Sequence, residues 1–217
     1  MKDYIGSLDW ERTRKDIFWG EIAPCEHVLQ VYDNDEVFLD TLKSFVTAGL
    51  RAGDAVVVIA TREHLKSLNQ GLKNQGFDLF TLTLEDQFIA LNVEETLSQF
   101  MIKGWPDENL FCHVLTNVLA RARKKNRQVR AFGEMVALLW SQGFSGATVH
   151  LEHLWSRFCA SEAFSLFCAY PKSGFTADAN DSLSKICKCH SKMIAGFRQQ
   201  GDELLVQNVH APQKMAS

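Results

Sequence analysis

The run Ala55-Val-Val-Val-Ile-Ala60 constrains the fold more than any other stretch of the chain. Six apolar residues in a row, four of them β-branched and none polar, make a strand that is covered on both faces. Such a strand belongs inside a parallel sheet, and the remaining pattern supplies that sheet. His27–Tyr32, Phe88–Leu91, Gln128–Phe132 and Ser165–Ala169 are further short strand patterns. Amphipathic patterns lie between them. One helix carries Phe38, Leu42, Phe45 and Val46 on a stripe and stops at Gly53. Another is capped by Thr61 and ended by Gly76, and a third opens at Asn92 and is broken by Gly104-Trp-Pro106. A long one runs from Asp107, a short one from Glu134 to Trp140, another from Ser145 to Ala160, and the last from about Asn180 to Ile194. Residues 77–87 do not resolve into an element. Strands alternating with helices predict an α/β fold: a mostly parallel central sheet of at least five strands, helices on both faces, joined by right-handed crossovers.

A length of 217 residues suits one domain with a real core. Its 46% hydrophobic and 23% charged content is that of a globular protein. A formal net charge of −3 gives no reason to expect a nucleic-acid partner. The basic run Arg121–Arg127 closes a helix, where cations complement the dipole. The first ten residues contain no apolar leader, and no apolar run approaches the roughly 20 residues of a membrane span. A cytoplasmic protein with no membrane contact is expected. Six cysteines without a C-x-x-C pair then read as free thiols. Residues 1–24 read as an N-terminal extension with Trp10, Phe18 and Trp19 as anchors, 25–196 as the domain, and 197–217 as a polar, partly disordered tail. No repeat, helix-turn-helix or kinase module is evident.

The residues just past the end of each strand carry the functional reading. Tyr32, Asp33 and Asn34 come after the first, Thr61 and Arg62 after the second, Asn92 after the third, Gly133 and Glu134 after the fourth, Tyr170 and Pro171 after the fifth. All should gather at the carboxyl edge of the sheet, where open α/β sheets bind ligands. The plainer reading of Glu134 is a helix cap. Arg130 is the only charge in its strand and is expected to contact the ligand with Glu134 and Tyr170, while Phe132 and Trp155 shape the wall. Glu152, Trp155 and Cys159 share one side of their helix and should lie nearby. His190 shares the stripe of Ile186, Cys187 and Ile194, so it should point inward. A lone inward histidine is more often a hydrogen-bonded core residue than a ligand.

Other chemistries find less support. The first connection reads Tyr-Asp-Asn-Asp-Glu rather than a P-loop, and its acids would repel a triphosphate. Cys25-Glu-His27 and Cys187-Lys-Cys189-His190 match no standard zinc spacing, so no metal and no cofactor are expected. No G-x-S-x-G elbow is present, and Cys168 lies mid-strand, where a buried thiol is ordinarily inert.

With these segments laid out, the sequence resembles the MEDS family, the sensory domain named for methanogens, methylotrophs and the dichloromethane regulator. The likeness is carried by residues 25–35, 45–60, 100–106, 129–140 and 164–171, with His190-Ser191. It implies a RecA/KaiC-like three-layer core without a nucleotide loop, and a role in sensing small hydrocarbon-derived molecules. It also places His27, Glu134, Cys168, Tyr170 and His190 at characteristic positions of the family. The expected function is a non-enzymatic sensory module binding a small ligand and signalling through a partner, a histidine kinase or transcription regulator, or through self-association. The alternatives are a degenerate nucleotide-binding or protein-interaction domain, and an enzyme using Cys168 or a Glu134/His190 pair.

Overall fold

The structure, a computed structural model, describes residues 10–174, 180–196 and 202–209. Its strands are β1 (Glu11–Arg14), β2 (His27–Tyr32), β3 (Ala55–Ala60), β4 (Phe88–Asn92), the short pair β5 (Met101–Ile102) and β6 (Trp105–Pro106), β7 (Val129–Gly133), β8 (Ser165–Pro171), β9 (Lys192–Gly196) and β10 (Glu203–Asn208). Its helices are α1 (Lys15–Gly20), α2 (Asp35–Ala52), α3 (Arg62–Asn74), α4 (Leu79–Leu84), α5 (Val93–Leu97), α6 (Glu108–Ala122), α7 (Met135–Ser141), α8 (Ser145–Glu162) and α9 (Asn180–Lys188). Eight strands form one sheet in the order β1-β10-β9-β2-β8-β7-β3-β4, parallel from β9 to β4 and antiparallel at β10 and β1.

The five expected strands are present, and β3, between β7 and the edge strand β4, is buried along its whole length. Caps fall where their chemistry places them. The Asn34, Thr61, Asn92 and Asp107 side chains each accept a first-turn N–H, and Gly53 takes the left-handed turn that ends α2 (φ 85°). The C-terminal part differs from expectation. The last helix stops at Lys188, and 192–196 form β9 beside β2. Residues 203–208, expected in a polar tail, form β10, with Leu204 and Val206 buried. Backbone pairing to a sheet edge outweighs the weak local pattern there. Residues 197–201 and 210–217 lie outside the described residues. The N-terminal extension also joins the body: β1 pairs with β10, and the Trp19 ring is fully buried against Phe45 (5.0 Å) and Phe167 (5.4 Å). Residues 79–84 form α4, and Gly104-Trp-Pro106 belongs to the β5–β6 hairpin.

Side-chain alternation divides the core in two. Leu29, Val57, Ala131, Leu166, Cys168 and Tyr170 face α6, α7, α8 and α9. Val28, Val56, Val58, Phe132 and Phe167 face the aromatic stripe of α2. Helix α2 comes so close that a methyl group on Gly49 would lie 2.8 Å from Val56 Cγ2 and 2.9 Å from Arg130 Cδ.

Arg130, expected at the ligand rim, is at the other end. It lies near the start of β7, opposite Ser165, the first residue of β8. Its Nε donates to Asp54 Oδ2 at 2.6 Å and its Nη1 donates to the Trp19 carbonyl. The side chain therefore fastens the N-terminal segment to the amino edge of the sheet. Asp54→Ala would strand a buried guanidinium and is expected to cost about 3 kcal/mol or more. The double exchange Arg130→Met/Asp54→Leu, which removes both charges, is expected to cost less. Urea denaturation of the three proteins checks the order, and a double variant as unstable as Asp54→Ala or more so would contradict it.

Candidate functional site

At the carboxyl edge, β3 and β7 end side by side, and the Glu134 N–H donates to the Ile59 carbonyl at 2.9 Å. The Glu134 carboxylate makes no capping bond to its own helix, α7. It reaches across to α3 instead. Oε2 accepts the Thr61 N–H at 2.9 Å and Oε1 accepts His64 Nδ1–H at 2.8 Å. The bond to Glu134 raises the His64 imidazole above its ordinary value, against the opposing effect of burial. Phe38 stacks on the Tyr32 ring (4.9 Å, 18°) and meets the His64 ring in a T-shaped contact (5.0 Å). Burial, with Asp35 and Glu134 nearby, pushes the Tyr32 hydroxyl far above its ordinary range. Asp33 pairs with Lys172 at 2.9 Å across the ends of β2 and β8. Tyr32, Asp33 and Glu134 thus share the carboxyl edge. His64 was not foreseen. Its only signal is that it stands three residues after Thr61, in the first turn of the helix that Thr61 opens.

Tyr170 belongs to the same edge by backbone and to another place by side chain. It pairs with Val31, one residue out of step with Tyr32, and so points to the opposite face. There its hydroxyl donates to Glu152 Oε1 on α8. His27, Cys168 and His190 surround the same carboxyl group. Glu152 Oε2 is 3.7 Å from both His27 Nε2 and His190 Nε2, and His27 Nε2 is 3.2 Å from Cys168 Sγ. All five residues are buried. The fold brings them together from four places: the first residue of β2, the middle of β8, the buried side of α8, and the turn between α9 and β9. Ser191 ties the last of these to the first, its N–H donating to the His27 carbonyl at 2.8 Å and its hydroxyl accepting the His27 N–H at 3.1 Å.

The hydrogen bonds fix both imidazole tautomers. His27 Nδ1 faces the Cys189 carbonyl at 3.0 Å and His190 Nδ1 faces the Ile186 carbonyl at 2.7 Å. A carbonyl only accepts, so each Nδ1 carries the proton and each Nε2 turns a lone pair inward. The Cys168 thiol donates to His27 Nε2. Glu152 Oε2 and His190 Nε2 have no hydrogen-bond partner among the described residues. Burial favours uncharged forms throughout. It raises Glu152 to about 8, lowers His190 to about 4, drives His27 well down, and lifts Cys168 and Tyr170 far above their ordinary values. A thiol held protonated is a poor nucleophile. Two imidazole nitrogens, a carboxyl oxygen and a sulfur thus converge within 4.8 Å of one another.

The other expected residues take supporting places. The Trp155 ring packs against the Gly133 backbone, where a Cβ would lie 3.4 Å from it. Cys159 Sγ donates to the Phe164 carbonyl at 2.9 Å. Phe132 packs on the α2 face against Phe38 and Phe167, away from the cluster. Arg130 is remote, at the amino edge. Cys187 and Cys189, from the Cys-Lys-Cys-His run, stand outside the group of converging ligand atoms, which among the described residues is His27, Glu152, Cys168 and His190.

Comparison with known proteins agrees with this architecture. A KaiC-like protein from the hyperthermophilic archaeon Pyrococcus horikoshii OT3 superposes with a TM-score of 0.60 at 12% identity, covering 96% of this chain and 92% of that one. A second protein of the same organism, known from a structural study, gives 0.55 at 12% identity, with 85% and 88% covered. These likenesses establish the fold, a mostly parallel RecA-like sheet with helices on both faces. No helix among the described residues is long and apolar enough to cross a membrane. No curated protein sequence matches the chain. The sequence profile of the methanogen/methylotroph, DcmR sensory domain matches residues 26–191, a span that holds all five cluster residues and Glu134, and the chain belongs to that family, MEDS.

Proposed function

We propose that the chain is a non-enzymatic sensory module with its input at the buried cluster and its output at the carboxyl edge. One observation carries the reading: Glu152 Oε2 and His190 Nε2 are buried, face one another and lack hydrogen-bond partners among the described residues. A polar atom left so costs about 1–3 kcal/mol, which a guest with a polar end would recover. The guest class we infer, from the family and from the two unsatisfied atoms, is a short-chain hydrocarbon derivative with its polar head at Glu152 and His190. The reaction classes fit less well. Cys168 is adjacent to a histidine but held as the thiol, and Glu134 is engaged by Thr61 and His64 rather than by His190.

Strands β2 and β8 link input to output. His27 and Tyr32 are the two ends of β2, while Cys168 and Tyr170 precede the Asp33–Lys172 contact between the loops at the ends of these strands. A guest that shifts these strands biases the loop after Tyr32, and a partner protein, a histidine kinase or transcription regulator, or a second copy would read that loop. A nucleotide reading finds little support: Asn34 caps α2, and Asp35 and Glu36 occupy its first turn where phosphate would sit.

Short alcohols, amines, thiols and haloalkanes of one to three carbons are the probes that test this reading. At least one class is expected to raise the melting temperature of the wild-type chain, because binding to the folded state stabilises it. Glu152→Gln, close in shape but fixed in its hydrogen-bonding pattern, is expected to lose most of that shift. A panel with no effect on the wild type, or with equal effects on both proteins, would count against the cluster as input. The His64–Glu134 contact gives a separate pH signature. His64 is raised above 6.5, so its contribution is complete below that value and is lost as pH rises through the folded-state value. The melting difference between wild type and His64→Gln is therefore expected to be largest near pH 6 and to shrink toward about pH 9. A difference that grows with pH would contradict the clamp.

A further inference from the structure

We propose that His27, Glu152, Cys168 and His190 bind one divalent transition-metal ion of the zinc class. This deepens the sensory reading and rests on the same cluster being its input: the ion would be the resident group to which a sensed molecule binds, or would itself be the signal. Local spacing gives no hint of it, because the four ligands come from four distant segments.

Three observations converge. The first is geometric. Metal bonds of about 2.0–2.3 Å arranged tetrahedrally set ligand atoms roughly 3.3–3.8 Å apart. Three of the separations here are 3.2, 3.7 and 3.7 Å, and all four ligand atoms lie within 4.8 Å of one another. The second is orientation. Each imidazole has its Nδ1–H committed to a backbone carbonyl and its Nε2 lone pair turned into the cluster, the outer arrangement that orients metal-binding histidines. Tyr170 does the same for the carboxyl group by holding Oε1, which leaves Oε2 to face the histidines. The third is charge and donor class. Two neutral imidazoles, one thiolate and one carboxylate carry two negative charges, so a divalent ion makes the buried site neutral. One sulfur with two nitrogens selects zinc or cobalt over magnesium or calcium, which prefer oxygen alone.

The step balances without a redox partner. The Cys168 S–H and Glu152 O–H bonds break and two protons leave to solvent. Four bonds form to the ion, and no electrons are transferred. Glu152 Oε2 and His190 Nε2 thereby gain the partner they lack among the described residues.

The full-length chain, stripped with a chelator and dialysed, is titrated with Co²⁺ as a spectroscopic stand-in. One equivalent is expected to bind, with the visible bands of four-coordinate cobalt and a thiolate-to-cobalt charge-transfer band. Cys168→Ser should lose the charge-transfer band, and His190→Ala should weaken binding at least about tenfold, the scale on which a disturbed metal shell acts. The combined variant of Cys25, Cys112 and Cys189 to Ser, the three thiols that are not fully buried, should keep the band. That variant also serves if Cys168→Ser does not fold: retention of its band assigns the thiolate to a buried cysteine, and its loss overturns the assignment. Absence of four-coordinate bands in the wild type, or a charge-transfer band that survives in folded Cys168→Ser, overturns it as well. Should cobalt fail while short-chain probes still stabilise the wild type and not Glu152→Gln, the metal is excluded and the input reading stands. Should cobalt bind while no probe shifts melting with or without it, the metal stands and small-molecule sensing falls.

Discussion

A carboxyl group sealed from water must be satisfied from within or remain uncharged, and the arrangement around Glu152 obeys that constraint. Its side chain is fully buried on α8, beneath the parallel sheet. Tyr170 satisfies one oxygen; the other faces two imidazoles that can only accept at the nitrogen presented. With every member in its neutral form the cluster carries no net charge, which is why it can exist in the core at all. A single charge of either sign introduced there would have to be balanced locally, since the core offers no solvent to screen it.

This requirement also explains the positions of the backbone partners. The carbonyls of Ile186 and Cys189 come from the end of α9 and the turn after it, where the helix stops; that of Ile186 also accepts the Cys189 N–H at 3.0 Å. They take the imidazole N–H groups. The helix end and the two histidines meet each other's hydrogen-bonding needs, and the pairing of Ser191 with His27 holds the turn in register beside β2. Termination of α9 at Lys188 is therefore part of the site. A helix continued to Ile194 would remove both the turn and β9.

Much of the fold was legible, because the strands and most helices announce themselves locally. β3 is uniformly apolar, α2 carries a clean stripe, and Asn34, Thr61, Asn92 and Asp107 mark helix starts by side chains that accept N–H bonds. The strands toward the β1 end of the sheet were not legible. β9 and β10 are short, mixed in polarity, and stable only because neighbouring strands supply their hydrogen bonds. The site was legible in part. The positions just past the strand ends located Tyr32, Asp33 and Glu134 at one edge. The parity of the strand then sent Tyr170 to the other face, a distinction that depends on one residue of register. Arg130 reads as a functional charge in an apolar strand, yet it meets Asp54 from 76 positions away. His190 reads as a solitary core histidine until β9 sets it beside His27, with ring centroids 3.8 Å apart.

The carboxyl edge, where sheets of this class ordinarily receive ligands, is closed in this chain by its own side chains. Glu134 occupies the N–H of Thr61, the group that a bound phosphate or carboxylate would otherwise approach, and Asn34 caps the helix after β2. Asp33 and Lys172 join the loops after β2 and β8. An edge so occupied has little left to offer an anion, and its interactions are between groups that can part and re-form. The two unsatisfied polar atoms of the cluster, Glu152 Oε2 on α8 and His190 Nε2 in the turn before β9, lie instead on the helical face of the sheet, beside His27 of β2 and Cys168 of β8. The chain thus keeps a parallel sheet whose strand ends are tied by side-chain contacts, and sets its buried polar cluster against the sides of β2 and β8. Because β2 and β8 carry the cluster at one level and end in the joined loops at the next, a displacement of either strand reaches the surface through covalent backbone alone.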